Sequence, residues 1–375
     1  MKILFTGGGS GGHFYPIIAV AEEVHTVVRE RKLLDPELFY MSDDPFSTRM
    51  LFDTRISFKK TSAGKMRTYR SIFNFFDLFR TAWGIIRSFF SVGAMYPDVV
   101  FGKGGYASFP ALFAARFFRI PVIIHESDSV PGRVNSWAGK FATRIAVSYP
   151  QAATFFPADK VALTGNPVRK AISRPLSNGA HEFLALSESL PVVLVLGGSQ
   201  GSEIINESVI SILPELLTRY QVIHQTGKKN LQAVVESAAV VLGESKFKDR
   251  YKPFDYLNDL ALSMSAGVAS IVVSRAGSAI FEIARWGTPS VIIPISESNG
   301  DHQRKNAFNY SRTGAAIVIE EANLTPHVLL SEIDRVLGDS ALREDMKKSA
   351  IQFSSPDAAK KIAEEIVNIA LAHEK

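Results

Sequence analysis

A short apolar strand, a glycine-rich turn and a helix follow one another twice in this chain. Residues 3–5 lead into Gly-Gly-Gly-Ser-Gly-Gly at 7–12, and the apolar run 192–196 leads into Gly-Gly-Ser-Gln-Gly at 197–201. Glycine permits positive φ and lets the backbone approach a ligand closely. The helix that follows offers unpaired N–H groups and a positive dipole end to an anion. This repeat predicts two doubly wound α/β domains, each with a ligand-binding turn.

Other apolar runs alternate with helical segments and predict parallel sheets in both halves. The expected strands are 38–41, 99–101, 122–125, 144–147, 221–224, 270–273 and 290–293. A length of 375 residues suits two domains. We expect them to span 1–165 and 166–356, with an amphipathic helix at 357–372 that packs back on the first domain.

The composition limits the chemistry that is available. The chain has no cysteine, which excludes disulfides, thiolate metal sites and cysteine nucleophiles and fits a reducing compartment. The net charge of +5 suits an anionic ligand, a nucleic acid or an anionic membrane surface. No apolar run reaches the roughly 18–20 residues of a membrane-spanning helix, and the N-terminus lacks the pattern of a signal peptide. We therefore expect a cytoplasmic protein whose membrane contact, if any, is peripheral.

The first glycine turn also fits a dinucleotide-binding pattern. Residues 7–12 satisfy G-x-G-x-x-G, and Asp43 or Asp44 could hold a ribose at the end of the second strand. An NAD(P)-dependent oxidoreductase is thus an open alternative, but it leaves the second turn and His13 unexplained. Two doubly wound domains that face a cleft suit a nucleotide-sugar transferase better, because a helix N-terminus and an arginine can hold a diphosphate without metal.

His125, Glu126 and Asp128 come at the end of the apolar run 122–124, and Gly-Lys-Gly-Gly-Tyr at 102–106 ends another strand of the same sheet. Open α/β sheets bind ligands at the carboxyl ends of their strands, so these residues are candidates for a binding site. One histidine with two carboxylates on a loop is only a weak signal for a metal ion.

Three single candidates lie further along the chain. Arg169 lies at the expected domain junction, where it could contact a diphosphate, although any arginine near a proline turn would look similar. Glu282 lies in the first turns of a helix, where it could accept ribose hydroxyls or simply stabilise the helix dipole. Gln303 could bind sugar hydroxyls, but the polar run 297–306 around it is also compatible with a solvated loop.

Residues 59–90 combine basic and aromatic side chains in an unusual way. Seven of them are basic and one is acidic: Lys59, Lys60, Lys65, Arg67, Arg70, Arg80 and Arg87 against Asp77. One helical stripe is formed by Ile72, Phe76, Phe79, Trp83, Ile86 and Phe90. Such a stripe could be ordinary core, but a basic aromatic helix is typical of an interfacial membrane binder. A nucleic-acid surface is the other alternative, and no nucleic-acid module is recognisable.

Seven motifs, in order over nearly the whole chain, together resemble the MurG family of peptidoglycan N-acetylglucosaminyltransferases. They are GGSGGHFYP at 8–16, GKGGY at 102–106, HESDSVPG at 125–132, GNPVR at 165–169, GGSQG at 197–201, RAGS…E at 275–282 and DHQRKNA at 301–307.

The resemblance implies a GT-B glycosyltransferase fold, with two doubly wound Rossmann-like domains that face a cleft. Members of the family transfer GlcNAc from UDP-GlcNAc to the 4-hydroxyl of the muramoyl sugar of undecaprenyl-diphosphate-MurNAc-pentapeptide (lipid I), with inversion, to form lipid II. The expected partners are therefore UDP-GlcNAc, lipid I and the cytoplasmic face of the cell membrane, where the protein is peripheral. No nucleic acid, cofactor or metal ion is expected.

The resemblance also implies roles for individual residues, carried over motif by motif. The donor-binding set is Ser10, Gly11, Gly12, Asp128, Arg169, Ser199, Leu257, Ser278, Ala279, Glu282 and Gln303. The acceptor-binding set is Tyr106, His125 and Glu126, and the membrane patch is Phe76, Phe79, Trp83 and Phe90.

The chain departs from the family pattern at three places. It has His-Glu-Ser-Asp at 125–128 where His-Glu-Gln-Asn is usual, so the carboxylate of Asp128 replaces an amide that could donate a hydrogen bond. The stretch 275–282 is one residue shorter than usual, which would shift the helix turn at the uridine. Ser10 stands where threonine is usual, and this change keeps the hydroxyl.

His13 is our candidate for the general base. It follows the first turn directly, so the backbone fixes its position, and an ordinary imidazole pKa suits proton abstraction from a sugar hydroxyl at neutral pH. A simple hydrogen bond to a substrate is the alternative role. Alternatives for the whole chain are another glycolipid glycosyltransferase, a UDP-GlcNAc 2-epimerase of the same fold and a non-catalytic nucleotide-sugar sensor.

Overall fold

The computed structural model describes residues 1–64, 73–198, 200–296 and 299–373, with the side chains of Phe73, Asn74 and Asn299 left aside. The strands in these parts are β1 (Lys2–Thr6), β2 (Glu37–Ser42), β3 (Ile56–Lys60), β4 (Val99–Gly102), β5 (Val122–Glu126), β6 (Arg144–Val147), β7 (Val161–Leu163), β8 (Val192–Leu196), β9 (Gln221–Gln225), β10 (Tyr251–Phe254), β11 (Ala269–Ser274), β12 (Ser290–Ile292) and β13 (Ala316–Val318).

The α-helices alternate with the strands along most of the chain. They are α1 (Gly11–Glu30), α2 (Thr48–Asp53), α3 (Phe73–Met95), α4 (Phe109–Phe117), α5 (Arg133–Ala138), α6 (Pro150–Ala153), α7 (Lys170–Ser173), α8 (Ala180–Phe183), α9 (Glu203–Arg219), α10 (Leu231–Leu242), α11 (Asp259–Val268), α12 (Ala279–Trp286), α13 (His302–Ser311), α14 (Pro326–Gly338), α15 (Ser340–Phe353) and α16 (Ala358–His373). Within the described ranges, no helix is both long enough and apolar enough to span a bilayer.

The chain divides into two compact units. Unit 1 consists of Met1–Arg169 together with Ser355–Lys375, and unit 2 consists of Lys170–Ser354. The first change of unit therefore falls after residue 169, a little beyond the boundary at 165 that the sequence suggested.

Unit 1 is built on a parallel sheet in the order β3-β2-β1-β4-β5-β6-β7. Successive side chains of a strand point to opposite faces. On β1, Ile3 and Phe5 pack into one core cluster with α1 and α16, whereas Leu4 packs into another cluster with α4. Helices thus cover both faces of the sheet, which explains why its central strands are continuously apolar.

The C-terminal helix α16 belongs to unit 1, where it packs along α1. Its apolar positions recur every three or four residues, and Ile362 and Ile366 are buried in the core under α1. At the surface, Lys360 Nζ lies 3.1 Å from a carboxylate oxygen of Glu30 on α1. The last helix of the chain therefore belongs to the same unit as the first.

Unit 2 repeats the same design with the strand order β10-β9-β8-β11-β12-β13, again entirely parallel. Its core cluster joins β8, β9, β11 and β12 to the helices α9, α10 and α14. The strands expected from the sequence are present in both units. Four strands were not predicted, namely β3, β7, β10 and β13, and each of them is an edge strand.

Candidate active site

Each sheet has a point at which the strand order reverses. In unit 1 this point lies between β1 and β4, and the loops that follow these strands are 7–10 and 103–105. In unit 2 it lies between β8 and β11, followed by the loops 197–202 and 275–278. Ligands of open α/β sheets bind in the crevice outside the strand ends at such a reversal. Both glycine turns of the sequence therefore lie where a ligand is expected.

His13 lies in the first turn of α1, with its Nδ1 3.0 Å from Ser10 Oγ. The loop after β4 approaches it through Gly105, whose φ is +80°. A Cβ at this position would lie 2.7 Å from the carbonyl oxygen of Gly8 and 3.5 Å from His13 Nε2, so only glycine permits the approach. Burial, followed by the charge of Lys103, lowers the pKa of His13 well below its usual range. His13 is therefore neutral at neutral pH, and its imidazole is a weaker base than the ordinary pKa expected from the sequence would give.

Lys103 follows β4 and is one of the most buried side chains, with 1% exposure. Its N–H donates to the carbonyl oxygen of Thr6 over 2.9 Å, which ties it to the strand reversal. Its Nζ has no hydrogen-bond partner among the described residues. Burial lowers the pKa of Lys103 to about 8, although Glu126 and Asp128 act in the opposite direction.

Glu126 organises the loop that follows β5. One carboxylate oxygen accepts the N–H of Asp128 at 2.9 Å, and the other accepts the N–H of Gly132 at 3.0 Å and the amide of Asn135 at 2.9 Å. Burial and the charge of Asp128 raise the pKa of Glu126, while these hydrogen bonds and Lys103 lower it, and the net shift is upwards. In this structure Glu126 shapes the loop, and its contact with an acceptor stays a prediction.

His125 is completely buried. Its Nε2 donates to the carbonyl oxygen of Gly165 over 3.0 Å and lies 3.3 Å from Ser148 Oγ, so it joins β5 to the segment that precedes Arg169. Burial and the charge of Lys103 keep the pKa of His125 well below its usual range. The described contacts of His125 therefore hold parts of unit 1 together. Its direct contact with an acceptor stays a prediction.

Tyr106 and Arg169 both contact other side chains of unit 1. Tyr106 donates its hydroxyl proton to Asp43 over 2.8 Å, and burial together with this carboxylate raises the pKa of Tyr106 to about 12. The guanidinium of Arg169 stacks on the ring of Tyr15 at 4.0 Å and is almost fully buried. Asp43 is therefore engaged by a tyrosine within the protein.

The second glycine turn packs against the loop that follows β9. Gly201 and Gly227 both have positive φ, and a Cβ on either would collide with the backbone of the other loop. Gln225 connects this turn to the next one: its amide donates to the carbonyl oxygen of Gly198 at 3.2 Å and accepts the N–H of Leu257 at 3.0 Å. Leu257 is buried beside it. Ser199, predicted to contact the diphosphate, lies outside the described residues.

The turn after β11 presents a helix N-terminus. Ser278 and Ala279 are half-buried at the start of α12, the Ser278 side chain does not cap the helix, and Glu282 lies in its first turn. Beside this turn, Arg275 forms an ion pair with Glu321 at 2.6 Å. The same guanidinium donates to the hydroxyl of Ser202, which in turn caps α9, and thereby links the two switch-point loops.

Gln303 lies half-buried in the first turn of α13, and its side-chain oxygen accepts the N–H of Ile295 at 3.2 Å. Residues 297 and 298, which belong to the polar run before this helix, lie outside the described residues. The described parts of the chain contain no group of three His, Asp or Glu side chains that could hold a metal ion.

Helix α3 carries its aromatic residues on the outside. The described members of the stripe are exposed by about half or more: Phe76 58%, Phe79 60%, Trp83 61%, Ile86 49% and Phe90 70%. The opposite face is small or polar and is buried, with Asp77, Gly84, Ser88 and Val92 turned inward. This stripe is therefore not core of unit 1. Ile72 and the basic residues Lys65, Arg67 and Arg70 lie outside the described residues.

Comparison with known proteins places these features in a family. The family models for the glycosyltransferase family 28 N-terminal and C-terminal domains match residues 3–147 and 192–362. The chain is 33% identical over 369 residues to a Bacillus cereus UDP-N-acetylglucosamine–N-acetylmuramyl-(pentapeptide) pyrophosphoryl-undecaprenol N-acetylglucosamine transferase, covering 97% of this chain and 99% of that protein. A Clostridium kluyveri protein of the same name is 34% identical, with 96% and 97% covered. The chain belongs to the MurG family.

Solved structures agree with this family at the level of the fold. Acinetobacter baumannii MurG superposes with a TM-score of 0.71 at 22% identity, covering 98% of this chain and 99% of that one. Neisseria meningitidis UDP-GlcNAc 2-epimerase bound to UDP-GlcNAc gives a TM-score of 0.66 at 14% identity, covering 99% and 100%. The fold is thus GT-B, and the protein is a glycosyltransferase. The oxidoreductase suggested by G-x-G-x-x-G is wrong, because both family models that match the chain are those of a glycosyltransferase family.

Sequence reasoning missed several polar residues at these MurG-family sites. Lys103 was inside a quoted motif, and its position directly after a buried strand was a usable signal. Gln225 ends a strand in the same way. Asn135 and the Arg275–Glu321 ion pair left no such signal, because partners 9 and 46 residues apart along the chain meet only through the fold.

Proposed function

We propose that this chain transfers GlcNAc from UDP-GlcNAc to the 4-hydroxyl of the muramoyl sugar of undecaprenyl-diphosphate-MurNAc-pentapeptide, with inversion. The observation that carries the proposal is the 33% identity, over nearly the full length of both chains, to a protein named for this transfer. Unit 2 would bind the donor and unit 1 the acceptor.

In this reaction His13 acts as the general base. The acceptor oxygen attacks the anomeric carbon, its proton passes to His13, and the bond to the UDP leaving group breaks. If Ser10 accepts the proton of Nδ1 across the observed 3.0 Å, the lone pair of Nε2 is free to receive the proton. The lowered pKa of His13 keeps it in the unprotonated form down to acidic pH.

Unit 2 supplies groups suited to a nucleotide diphosphate. The uncapped N-terminus of α12 offers N–H groups at Ser278 and Ala279, where the helix dipole favours an anion. Glu282 in the same turn would accept the ribose hydroxyls, and Gln303 would bind the GlcNAc hydroxyls. Leu257 would border the uracil. The stabilised leaving group then needs no metal ion in this mechanism.

From unit 1, the first turn (Ser10, Gly11 and Gly12) and Asp128 would complete the donor site, and Arg169 would contact the diphosphate. Ser199 of unit 2 would also contact the diphosphate. Tyr106, His125 and Glu126 would define the side that receives the acceptor. The burial of His125 and Glu126 favours an indirect role for both, through the loop that they hold.

The exposed stripe of α3 would bind the protein to the cytoplasmic face of the membrane that contains the acceptor. Phe76, Phe79, Trp83 and Phe90 are exposed together, and the side chains of Arg80 and Arg87 on the same helix are exposed as well. Aromatic residues flanked by cations suit the boundary between anionic headgroups and acyl chains. Attachment would be peripheral.

The decisive experiment is a transfer assay with labelled UDP-GlcNAc and a lipid I analogue. We expect a disaccharide-linked lipid and stoichiometric UDP, both of which require the acceptor. A parallel reaction without acceptor is analysed for UDP-ManNAc, because several enzymes of this fold are UDP-GlcNAc 2-epimerases. Formation of UDP-ManNAc without glycolipid product would replace the transferase with an epimerase.

A further inference from the structure

The ion pair between Arg275 and Glu321 lies at the carboxyl ends of neighbouring strands of unit 2. Arg275 directly follows β11, and Glu321 comes shortly after β13, two positions away in the same sheet. The charged groups are 2.6 Å apart, and each side chain is only 12% exposed. Removal of one partner from so buried a pair leaves an uncompensated charge, so the two residues depend on each other.

Arg275 is also held by the loops of the strands on either side of β11. Its Nη1 donates to the carbonyl oxygen of Ile293 over 3.1 Å, directly after β12. Its Nη2 donates to Ser202 Oγ over 2.6 Å, in the loop after β8. A planar guanidinium donates in fixed directions, so these acceptors determine where the cation lies. Arg275 is therefore a fixed anchor for Glu321.

Glu321 uses its second carboxylate oxygen to hold the polar loop after β12. Its Oε1 contacts Arg275, and its Oε2 accepts the N–H of Ser296 over 2.8 Å. Burial by itself would raise the pKa of Glu321, but hydrogen bonds from Ser296 and the charge of Arg275 lower this pKa below its usual range. The carboxylate is thus ionised at neutral pH and connects the loop to Arg275.

The residue before Ser296 orients Gln303. The N–H of Ile295 donates to the side-chain oxygen of Gln303 over 3.2 Å. Two successive N–H groups of one loop are therefore accepted by Gln303 and by Glu321. Their peptide planes meet at the Cα of Ile295, so a shift at Ser296 would also displace the N–H that holds Gln303. The orientation of an amide decides whether it offers its donors or its acceptor to a ligand.

We propose that Glu321, anchored by Arg275, is a positioning residue of the donor site: it holds the segment 293–296 where Gln303 is oriented towards the sugar of the nucleotide donor. This inference rests on the proposed function for the identity of the ligand. Glu321 then contributes to the affinity for UDP-GlcNAc and not to the affinity for UDP, because UDP lacks the sugar that Gln303 would bind.

The test compares the calorimetric affinities of the full chain for UDP-GlcNAc and for UDP. In Glu321→Ala we expect the affinity for UDP-GlcNAc to fall about three- to tenfold, the range of one neutral hydrogen bond, and the affinity for UDP to stay parental. Gln303→Ala should show the same difference between the ligands. In the double variant the loss of Glu321 should add nothing further. A charge effect of the unpaired Arg275 on the diphosphate would instead persist without Gln303.

Glu215→Ala is the matched control, because it removes one carboxylate of unit 2 from an exposed ion pair with Arg219. Both of its affinities should match those of the parent. Thermal melting checks the fold of each variant. If Glu321→Ala does not fold, Glu321→Gln replaces it in the same comparison, since it removes the charge and keeps the shape. Equal loss of both ligands, no loss of either, or a fully additive loss in the double variant would overturn the proposal.

The transfer assay separates this inference from the proposed function. If the affinities behave as expected but the parent does not transfer GlcNAc to the lipid I analogue, the inference about the sugar site stands and the proposed function fails. If the parent transfers GlcNAc and Glu321→Ala does not distinguish the two ligands, the inference fails alone. A parent that binds neither UDP-GlcNAc nor UDP would overturn both.

Discussion

The two units share one sheet topology but differ in the chemistry at the strand reversal. Unit 1 has ionisable side chains around this point, namely His13 in α1, Lys103 after β4, and His125, Glu126 and Asp128 at the end of β5 and just after it. In unit 2 the equivalent loops present a helix N-terminus, an amide and hydroxyl groups, with Arg275 already paired to Glu321. The shared sheet topology determines where a ligand binds, and the side chains at that point determine which chemistry is possible.

The difference fits a division of labour in a glycosyl transfer. A proton must leave the acceptor hydroxyl, and groups with shifted pKa values are suited to proton transfer. A nucleotide diphosphate requires N–H donors and fixed dipoles that do not titrate. The following predictions test whether proton transfer belongs to unit 1 and donor binding to unit 2.

Removal of the proposed base should have the largest effect. In His13→Ala we expect turnover to fall by about 100-fold or more, because a general base contributes that much to such a step. Binding of UDP-GlcNAc should persist, since unit 2 holds the nucleotide. Turnover is measured with the lipid I analogue, and binding by calorimetry.

The matched control is His327→Ala, which removes an exposed imidazole from α14 of unit 2. This variant should have parental turnover and binding. Near-normal turnover of His13→Ala would remove the base assignment and leave His13 as a hydrogen-bonding group.

A second feature of unit 1 is the exposed aromatic stripe of α3. The double variant Phe76→Asp/Trp83→Asp tests whether this stripe binds membranes. Both rings are exposed, so the fold should survive, while affinity for anionic liposomes should fall by roughly 100-fold or more, because each buried aromatic side chain contributes about 1.5–3 kcal/mol. Co-sedimentation measures the loss. Turnover with a short-chain soluble acceptor should change little.

The control pair is Phe52→Asp/Phe183→Asp, which charges two exposed rings outside α3, one in each unit. Liposome binding of this pair should match the parent. Unfolding of the Phe76→Asp/Trp83→Asp variant would mean that the stripe stabilises the fold, and equal loss in both pairs would mean that α3 has no special role.

Glu282→Gln probes the donor side. We expect the affinity for UDP-GlcNAc to fall about ten- to 100-fold, the range of a hydrogen bond to a charged group. UDP should lose a similar factor, because both ligands contain the ribose. Glu236→Gln on the exposed part of α10 is the control. Unchanged affinity in Glu282→Gln would mean that this carboxylate does not hold the ribose.

The sequence predicted the central strands of both sheets and missed the same kind of strand in each. β3, β7, β10 and β13 lie at the sheet edges, where one side of the strand has no neighbour and side chains are partly exposed. An edge strand such as Ile-Ser-Phe-Lys-Lys in β3 therefore lacks the continuous apolar run of a strand covered on both faces. Its pairing is specified by the rest of the sheet.

The candidate site shows the same limit. The glycine turns and His13 were found because they are local features, a turn and the residue that directly follows it. The burial of His125 and the three donors around Glu126 depend on α5 and on the segment at 165, which the fold brings to β5. Spacing along the chain suggests that these residues lie at a site. Only the folded structure shows that their polar atoms are hydrogen-bonded to other groups of the protein.

The smallest expected effect comes from a change that keeps His13 and removes only its hydrogen-bond partner. In Ser10→Ala the partner of Nδ1 at 3.0 Å is lost, so the tautomer with a free Nε2 lone pair is no longer favoured. We expect turnover at saturating UDP-GlcNAc to fall about two- to tenfold, the range of one neutral hydrogen bond. Ser10→Thr keeps the hydroxyl and should retain parental turnover. If Ser10→Ala instead weakened donor binding and left turnover at saturating UDP-GlcNAc unchanged, Ser10 would serve the donor site alone and would not orient the His13 ring.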